Sequence, residues 1–345
     1  MSKRVTIKEV AQAAGVSTAT VSYVLNDKES ISDVTKEKVW LAIKELGYVP
    51  DLNARGLSTN ASRLIGVVVP QTEDDQHLMF DNEFYSEILG SIELAARAEG
   101  YHVLVSGTDA NENYMRLARE RNLDGIIIIG MYQDQFFQQM KETGIPIVLI
   151  DSYCRDHYFH NIHIDDRYGS YLAVQHLISM GHRHLAFFCG QLKDDGVMQK
   201  RLAGYREGLE EAGIPYRREY IYEGTIDYES GVELAQRLIK KKQPVTGIVA
   251  AADVLAIGIL KGLHGEGKDV PEDYSLVGFD DLKIARYVSP GLTTVRQDIP
   301  LKGKKAFEIL LESIDDPELP KQEQILPLKL IERGSVRRLE ESSVL

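Results

Sequence analysis

Apolar positions in the first 50 residues recur at the three- and four-residue spacing of helices. Thr6-Ile-Lys-Glu9 has the composition of a capping box, and Gly15 can end the helix that follows it. Ser17 can cap a second helix that ends near Leu25, and a third begins after Ser32. Two short helices joined by a turn around a glycine predict a helix-turn-helix. The residues expected to face inward from the second and third helices are Val21, Val24, Leu25, Val39, Ala42, Ile43 and Leu46.

The pattern changes beyond a polar, glycine-bearing segment at residues 51–61, which we interpret as a linker. Short continuous apolar runs then alternate with helical patterns, as is typical of parallel strands covered on both faces. The predicted strands are 63–70, 101–107, 124–130, 145–151, 184–190, 246–253, 274–280, 292–298 and 324–336. Two such sets in tandem predict two doubly wound α/β lobes with a cleft between them.

The chain is therefore expected to combine an all-α headpiece with a larger α/β core. The headpiece is predicted at residues 1–50, the linker at 51–61 and the core at 62–345. The predicted lobe boundaries are about 62–161 plus 292–322 for the first lobe and about 162–291 plus 323–340 for the second.

Composition places the chain among ordinary globular proteins. It has 345 residues, of which 43% are hydrophobic and 27% are charged. No apolar run reaches the roughly 18–20 residues of a membrane span, and the N-terminus lacks the apolar core of a secretion signal. The two cysteines are too few for a disulfide scaffold. We therefore expect a cytoplasmic protein with reduced thiols, no membrane partner and no cofactor.

The charge is unevenly distributed. The net charge is −12, but residues 1–60 hold eight basic and seven acidic side chains, so the acidic surplus lies outside the predicted headpiece. The headpiece is nevertheless not strongly basic. Charge alone would not have indicated nucleic-acid binding.

Several long motifs resemble the LacI/GalR family of transcriptional regulators, in the family's order and over almost the whole chain. The motifs are VTIKEVAQAAGVSTATVSYVLND, KVWLAIKELGYVPDLNARGLST, HIDDRYGSYLAVQHLISMGHRHLAFFCG, RLAGYREGLEEAGI and YSLVGFDDLKIARYVSPGLTTVRQD. The resemblance implies a homodimeric repressor that binds a palindromic operator. It also implies a core of periplasmic-binding-protein type, with a small ligand, a sugar or its phosphate, in the cleft. The C-terminal segment has no leucine heptads, so we expect a dimer rather than a tetramer.

The resemblance also implies which residues contact DNA. The second helix would enter the major groove, where short Thr and Ala side chains can contact thymine methyl groups. By the family match, the base-reading positions are Thr18, Ala19 and Tyr23. Phosphate or groove-wall positions are Thr6, Ser17, Thr20, Ser22, Asn26, Ser32 and Thr35, and linker positions are Ala54, Arg55 and Leu57.

Two departures from the family pattern affect this interpretation. Tyr23 stands where the family often has the Arg of a guanine contact, so we expect an altered operator preference at that base. Asp51 stands where relatives often have Asn and places a negative charge near DNA. Leu57 matches an apolar wedge that kinks the duplex in the minor groove, and Ala54 matches the small residue where two hinges pack.

A second set of residues is expected in the cleft, at the carboxyl ends of the strands. The resemblance implies ring stacking by two aromatic residues, an apolar wall, and hydrogen bonds from carboxylates and an Arg. These residues are Phe84, Tyr85, Asp151, Arg201, Ile226, Asp253 and Asp280. Asp151 and Asp280 could instead cap the helices that follow them. Ala252 replaces a frequent Asn of the family, which would remove one polar contact.

Two alternative functions remain open. One is a regulator switched by a partner protein, as one branch of the family is. The other is a binding protein or enzyme on the same lobes, which is the weakest class because no nucleophile or metalloprotease motif is present. His157, His160 and His163 recur at three-residue spacing, but no nearby Cys or Glu completes a metal set, so we predict no metal. That segment resembles a surface connection.

Overall fold

The computed structural model describes residues 5–25, 31–48, 62–70, 82–108, 118–130, 134–152, 158–192 and 196–339. The chain forms two units, Met1–Arg63 and Leu64–Leu345. Within the described ranges, no helix is both long enough and apolar enough to cross a membrane.

The first unit contains the three predicted helices, α1 (Ile7–Ala14), α2 (Thr18–Leu25) and α3 (Asp33–Leu46). Thr6 and Glu9 form the predicted capping box at α1, and the helix ends at Gly15, which has the left-handed φ of 66°. This turn leads directly into α2. The predicted helix-turn-helix is confirmed.

Apolar side chains from all three helices form one small core. Val10, Val21, Val24 and Val39 are essentially buried, as are Ala42 and Ile43 of α3. The prediction for Leu46 is wrong, because its side chain is 37% exposed at the last residue of α3. Tyr48, just beyond the helix, packs against this core instead.

The second unit has two six-stranded sheets. The strands are β1 (Leu64–Pro70), β2 (His102–Thr108), β3 (Gly125–Ile129), β4 (Ile147–Ile150), β5 (His160–Ile164), β6 (Leu185–Cys189), β7 (Ile221–Glu223), β8 (Gly247–Ala250), β9 (Ser275–Asp280), β10 (Thr293–Gln297), β11 (Glu323–Leu326) and β12 (Leu328–Ile331). The order in the first sheet is β11-β5-β4-β3-β1-β2, and in the second it is β12-β10-β9-β8-β6-β7. All neighbouring strands are parallel except the β10–β12 pair.

Seven helices with defined bounds connect and cover these sheets in the described part of the second unit. They are α4 (Glu83–Ala98), α5 (Asp134–Lys141), α6 (Asp166–Ser179), α7 (Val197–Glu211), α8 (Tyr228–Lys241), α9 (Asp253–Gly265) and α10 (Ile299–Asp315). Helix α10 packs on the first sheet and on α4, although it follows a strand of the second sheet. The two predicted doubly wound α/β lobes are confirmed.

The lobe boundaries differ from the prediction in two places. Thr293–Gln297 belongs to the second lobe, because it pairs in parallel with β9, and the chain crosses to the first lobe only at α10. Glu323–Leu326 belongs to the first lobe, because it pairs in parallel with β5. The predicted single strand 324–336 is thus two strands in two sheets. They are separated by Pro327, which has no N–H to donate to a ladder.

Two strands were missed by sequence reasoning, β5 and β7. The histidine-rich segment expected to be a surface connection contains β5, with His160 fully buried and His163 largely buried. His160 Nδ1 accepts from the backbone N–H of Gln322 at 3.2 Å, and its Nε2 lies 3.0 Å from Ser313 Oγ. These partners lie far along the chain, so the local pattern did not reveal a buried strand.

Candidate functional sites: a helix surface and a cluster of buried charges

Helix α2 has one buried and one exposed face. Val21, Val24 and Leu25 pack inward, whereas Thr18, Ala19 and Tyr23 are exposed, Tyr23 by 41%. The three predicted base-reading residues therefore share the outer surface of one short helix. Their side chains are small or uncharged, which suits close approach to the edges of bases.

Hydroxyl-bearing side chains mark the start of each helix in this unit. Ser17 Oγ lies 2.9 Å from Thr20 Oγ1 and accepts from the backbone N–H of Thr20 at 3.0 Å. Ser32 and Thr35 are paired similarly at the start of α3, with their hydroxyl oxygens 2.9 Å apart. At α1 the equivalent hydroxyl, that of Thr6, donates to Glu9 at 2.9 Å. All of these residues are among those predicted to contact phosphate or the groove wall, apart from Glu9.

The three helix starts differ in charge. The first turn of α1 contains Glu9 and that of α3 contains Asp33, whereas that of α2 contains no acidic residue. Backbone N–H groups at a helix start attract anions, and a nearby carboxylate opposes this. The start of α2, at Ser17 and Thr20, is therefore the most favourable of the three for a phosphate. Predicted residues Asn26, Ala54, Arg55 and Leu57 lie outside the described residues, and Ser22 is half-buried on α2.

The second site is a set of polar and charged side chains at strand ends and helix starts of both lobes, which we name the interlobe cluster. Such edges are where ligands bind in open α/β sheets. From the first lobe, Asp151 follows β4 and Lys302 lies in the first turns of α10. The members of the interlobe cluster are Asp151, Asp166, Arg201, Asp280, Gln297 and Lys302.

Lys302 connects the two lobes. Its ammonium group donates to both carboxylate oxygens of Asp151, each at 2.7 Å, and to Oε1 of Gln297, the last residue of β10. Gln297 Nε2 in turn donates to Asp280 Oδ1 at 2.6 Å. The side chain of Lys302 is fully buried, which is tolerated because its charge is paired. A continuous chain of hydrogen bonds therefore runs from β4 of one sheet to β9 of the other.

Arg201 forms the other half of the interlobe cluster. Its Nε donates to Asp166 Oδ1 at 2.7 Å, and one terminal nitrogen lies 2.7 Å from the same oxygen. Its other terminal nitrogen donates to the carbonyl of Ala251 and lies 4.0 Å from Asp280 Oδ1. Cζ lies 3.6 Å from the centre of the Phe279 ring. Gly204 lets α7, which carries Arg201, pack closely on α6, because a Cβ at this position would collide with the carbonyl oxygen of Arg167 on α6.

Burial and mutual proximity shift the protonation of these groups. Burial raises the pKa of Asp280 to about 6, against the lowering effects of Arg201 and Gln297. Burial also raises the pKa of Asp151, although Lys302 opposes the shift. Burial alone would lower the pKa of Arg201, but the carboxylates of Asp166 and Asp280 outweigh it and raise that pKa. Burial and the neighbouring cations therefore act in opposite directions on the pKa values of Asp151 and Asp280.

The two predicted aromatic residues lie beside this cluster. Phe84 and Tyr85 contact edge to face in the first turn of α4, with ring centres 5.2 Å apart. Lys302 Nζ lies 5.8 Å from the centre of the Phe84 ring. Burial, then the charges of Asp151 and Asp280, raise the pKa of Tyr85. The structure thus brings together five of the seven predicted effector residues, namely Phe84, Tyr85, Asp151, Arg201 and Asp280.

The remaining two predicted residues have different surroundings. Asp253 is fully buried, and its carboxylate accepts from Thr294 Oγ1 at 2.6 Å and from the backbone N–H of Leu282 at 2.8 Å. This geometry favours a structural role at the start of α9. Ile226 is half-buried and packs against Gly190. The alternative that Asp151 and Asp280 cap helices finds no support in their hydrogen bonds within the described residues, which go to Lys302 and Gln297.

Sequence reasoning missed Asp166, Gln297 and Lys302. For Lys302 a signal was available: it lies three residues after Ile299 and four before Ala306, on the buried face of α10. A lysine within an apolar helical stripe indicates a buried cation with a partner. That partner, Asp151, lies about half the chain away and could not be identified from spacing.

A separate surface groove of about 360 Å³ lies on the outer side of α6 and α7. Its lining residues include Arg167, Glu207 and Arg206. Arg167 Nε donates to Glu207 at 2.7 Å, and the guanidinium of Arg206 lies over the Tyr216 ring. The cations of this groove therefore have partners on the protein surface, and none of the predicted effector residues lines it.

The chain combines a helix-turn-helix unit with a two-lobed core of periplasmic-binding type. This combination defines a class of ligand-responsive DNA-binding proteins, and two family models match the two parts. Residues 6–51 match the bacterial regulatory proteins of the lacI family, and residues 174–336 match a periplasmic binding protein-like domain. The HTH-type transcriptional repressor PurR of Vibrio parahaemolyticus serotype O3:K6 is 33% identical over 340 residues, covering 97% of this chain and 99% of the relative. The chain belongs to the lacI family and is a DNA-binding transcriptional regulator, not an enzyme.

Solved structures are similar over the whole length. The lac repressor dimer bound to operator and the anti-inducer ONPF has a TM-score of 0.85 and 28% identity, covering 97% of this chain and all of that one. The complex of the transcriptional regulator CelR with cellobiose has a TM-score of 0.72 and 30% identity, covering 96% of this chain and all of that one. Both neighbours combine the two units described above.

Proposed function

We propose that this regulator represses transcription as a homodimer on a palindromic operator, and that a small carbohydrate bound at the interlobe cluster controls its affinity for DNA. The observation that carries the proposal is the convergence of Phe84, Tyr85, Asp151, Arg201 and Asp280 from four separate chain segments. Carboxylates and a guanidinium beside an aromatic ring suit the hydroxyl groups and the apolar face of a sugar. The sugar in the CelR complex supports the same choice of ligand class.

For DNA, we propose that Thr18, Ala19 and Tyr23 read bases and that Ser17 and Thr20 hold a phosphate. Their support is the shared outer surface of α2 and the absence of an acidic residue in its first turn. Thr6, Ser22, Ser32 and Thr35 complete the proposed phosphate and groove-wall contacts, together with Asn26 and the linker residues. The operator complex of the lac repressor dimer supports a palindromic site for a dimer.

For domain organisation, we propose residues 1–50 as the headpiece and residues 51–61 as the hinge. The boundary between the two units at Arg63 supports this division. A ligand that changes how the lobes are held together would alter the hinge, and linkage requires that DNA then changes ligand affinity by the same factor. The proposal places the protein in the cytoplasm, where DNA is accessible.

The test is an electrophoretic mobility shift with the promoter of the chain's own gene neighbourhood, followed by addition of candidate sugars. We expect specific retardation of the duplex, and one class of sugar that changes it. Specific retardation that no small ligand alters, but that an added host protein fraction does, would instead support control by a partner protein. Absence of any specific retardation would contradict the proposal.

A further inference from the structure

We propose that the ligand of the interlobe cluster is an uncharged or cationic polyhydroxylated molecule, a neutral sugar or an amino sugar, and that the cluster excludes phosphorylated and carboxylated sugars. This inference rests on the function proposed above and narrows its ligand class. It follows from how the hydrogen-bond donors and acceptors of the interlobe cluster are already used.

The donors of Lys302 are fully engaged. An ammonium group has three N–H donors. The Lys302 ammonium contacts three acceptors, the two carboxylate oxygens of Asp151 at 2.7 Å each and Oε1 of Gln297. A phosphate oxygen could bind this ammonium only by displacing one of them. Displacement would leave a buried acceptor unpaired, which is costly.

The guanidinium of Arg201 is similarly engaged along the edge that binds anions best. Its Nε and one terminal nitrogen both contact Asp166, so the paired donors that grip a phosphate are occupied. Its other terminal nitrogen donates to the carbonyl of Ala251. Phe279 covers one face of the group. Of the five N–H donors of the guanidinium these contacts use three, and one N–H on each terminal nitrogen remains outside the edge that grips an anion with paired donors.

Acceptor capacity, in contrast, remains at Asp280. Its carboxylate lies with those of Asp151 and Asp166 around the two cations. A carboxylate can accept about four hydrogen bonds. Within the described residues, the hydrogen bond of Asp280 uses only Oδ1, with Gln297 as donor. A ligand that fits must therefore donate hydrogen bonds, as hydroxyl and ammonium groups do.

The electrostatic field of the interlobe cluster also disfavours an anionic ligand. Three carboxylates against two cations leave the interlobe cluster negative when all five groups are ionised. The influence of the Asp151 and Asp280 charges on Tyr85, which raise its pKa beyond the effect of burial, is consistent with a negative field at the ring. A phosphate or uronate would bring a further negative charge into this field, and like charges placed together disfavour binding strongly.

The experiment is calorimetric titration of the full-length dimer with matched ligands. One series contains glucose, glucosamine, glucose 6-phosphate and glucuronate, and a second contains ribose and ribose 5-phosphate, with cellobiose added as a neutral disaccharide. We expect a neutral sugar or glucosamine to bind, and its anionic counterpart to bind at least about tenfold more weakly. A phosphorylated or carboxylated sugar that binds more tightly than its neutral counterpart would overturn the inference.

Inorganic phosphate provides a probe that does not depend on ligand identity. We expect phosphate, relative to chloride at equal ionic strength, to raise the thermal midpoint of the wild type no more than that of Lys302→Met, because the general effect of phosphate and any binding at the start of α2 are common to both. The double variant Asp151→Asn/Asp280→Asn removes the carboxylate charge from Lys302 and leaves Arg201 paired with Asp166, so phosphate should stabilise it more than the wild type. Stabilisation of the wild type by phosphate that is lost in Lys302→Met, but kept in Lys304→Met on the exposed side of α10, would overturn the inference.

The outcomes separate this inference from the proposed function. If an anionic sugar binds preferentially and alters operator binding, the inferred charge of the ligand is wrong. The proposed control of DNA binding by a carbohydrate would then still stand. If no ligand of either series binds while the specific operator complex forms, carbohydrate control itself is wrong and the inference falls with it. Lys302→Met adds a check, because removing the cation should shift preference from the neutral sugar toward glucosamine by about threefold or more.

Discussion

The surface of α2 and the interlobe cluster use opposite chemistry. On α2 the interacting groups are exposed, uncharged and paired with neighbours three residues away, as Ser17 is with Thr20. In the interlobe cluster they are buried and charged, and their partners lie far along the chain, as Asp151 lies from Lys302. Under the proposed function, α2 would read DNA through short uncharged side chains, while the interlobe cluster would select the ligand by a preorganised electrostatic field.

The largest effect is expected from Arg201→Met. The substitution removes a buried guanidinium from Asp166 and Asp280, and breaking a buried ion pair typically costs about 3–5 kcal/mol of unfolding free energy. Urea unfolding of the full chain measures this loss. The matched control is Arg206→Met, five residues along α7 on its exposed side, which should change stability by less than about 1 kcal/mol. If both variants lose the same free energy of unfolding, the buried ion pairs of Arg201 contribute no more to stability than the surface contacts of Arg206.

Tyr23→Ala is expected to change DNA recognition and leave ligand binding intact. If Tyr23 contacts a base, its removal should lower discrimination at one symmetric operator position by about 1–3 kcal/mol. Fluorescence anisotropy with operators substituted at each base pair measures this change. Lys44→Ala, on the exposed side of α3, is the control for a surface change in the same unit. Unchanged discrimination at every position after Tyr23→Ala would exclude Tyr23 from base reading.

Acidity should affect the ligand site with a defined sign. Because burial raises the pKa of Asp280 to about 6, its carboxylate becomes protonated as the pH falls through that value and loses acceptor capacity. Sugar affinity should therefore fall between about pH 7 and about pH 5, by up to about tenfold per unit. The same raised pKa has the opposite effect on folding, because the folded state binds the proton more tightly than the unfolded state. The contribution of Asp280 to stability therefore increases as the pH falls from about 7 to about 4.

Asp280→Asn provides the check on this assignment. Asn retains an acceptor oxygen for Gln297 but cannot titrate, so both pH dependences should become shallower in this variant. Calorimetric titration of the sugar and urea unfolding across the same pH range measure the two separately. A wild-type sugar affinity that is constant from about pH 7 to about pH 5 would contradict a role for the ionised carboxylate.

The smallest effect is expected at the start of α2. Ser17→Ala removes the side-chain acceptor of the Thr20 N–H and should cost the headpiece about 1 kcal/mol, whereas Ser17→Gly should cost only a few tenths. Amide hydrogen exchange of α2 in the full chain measures the difference. If Ala and Gly variants exchange alike, Ser17 does not act as a helix cap.

A structural feature could be predicted from the sequence when the residues that form it are close together along the chain. The capping box at Thr6 and the turn at Gly15 depend on neighbours within four residues, so the helix-turn-helix was predictable in detail. The family resemblance supplied Arg201 and Asp280, because their motifs are local. By contrast, Lys302 and β5 depend on contacts more than 100 residues away, and composition made β5 look polar.

The points at which the chain passes from one lobe to the other could not be located from the sequence either. An apolar run indicates that a strand is buried, but either sheet could accept the strand at 293–297. Pairing with β9 decides the matter, and that pairing places Gln297 beside both Asp280 and Lys302. The connection between the lobes therefore depends on a topological detail that hydrophobic pattern does not contain.

The most direct test of ligand-controlled DNA binding is one anisotropy titration performed with and without a sugar that calorimetry has shown to bind. A labelled palindromic duplex from the chain's own promoter is titrated with the full-length wild type and with Asp280→Asn. We predict preference for this duplex over random competitor, a shift in operator affinity of about 5–150-fold caused by the sugar in the wild type, and loss of that shift in the variant. No preference over random duplex, or a bound sugar that leaves operator affinity unchanged, would contradict the account.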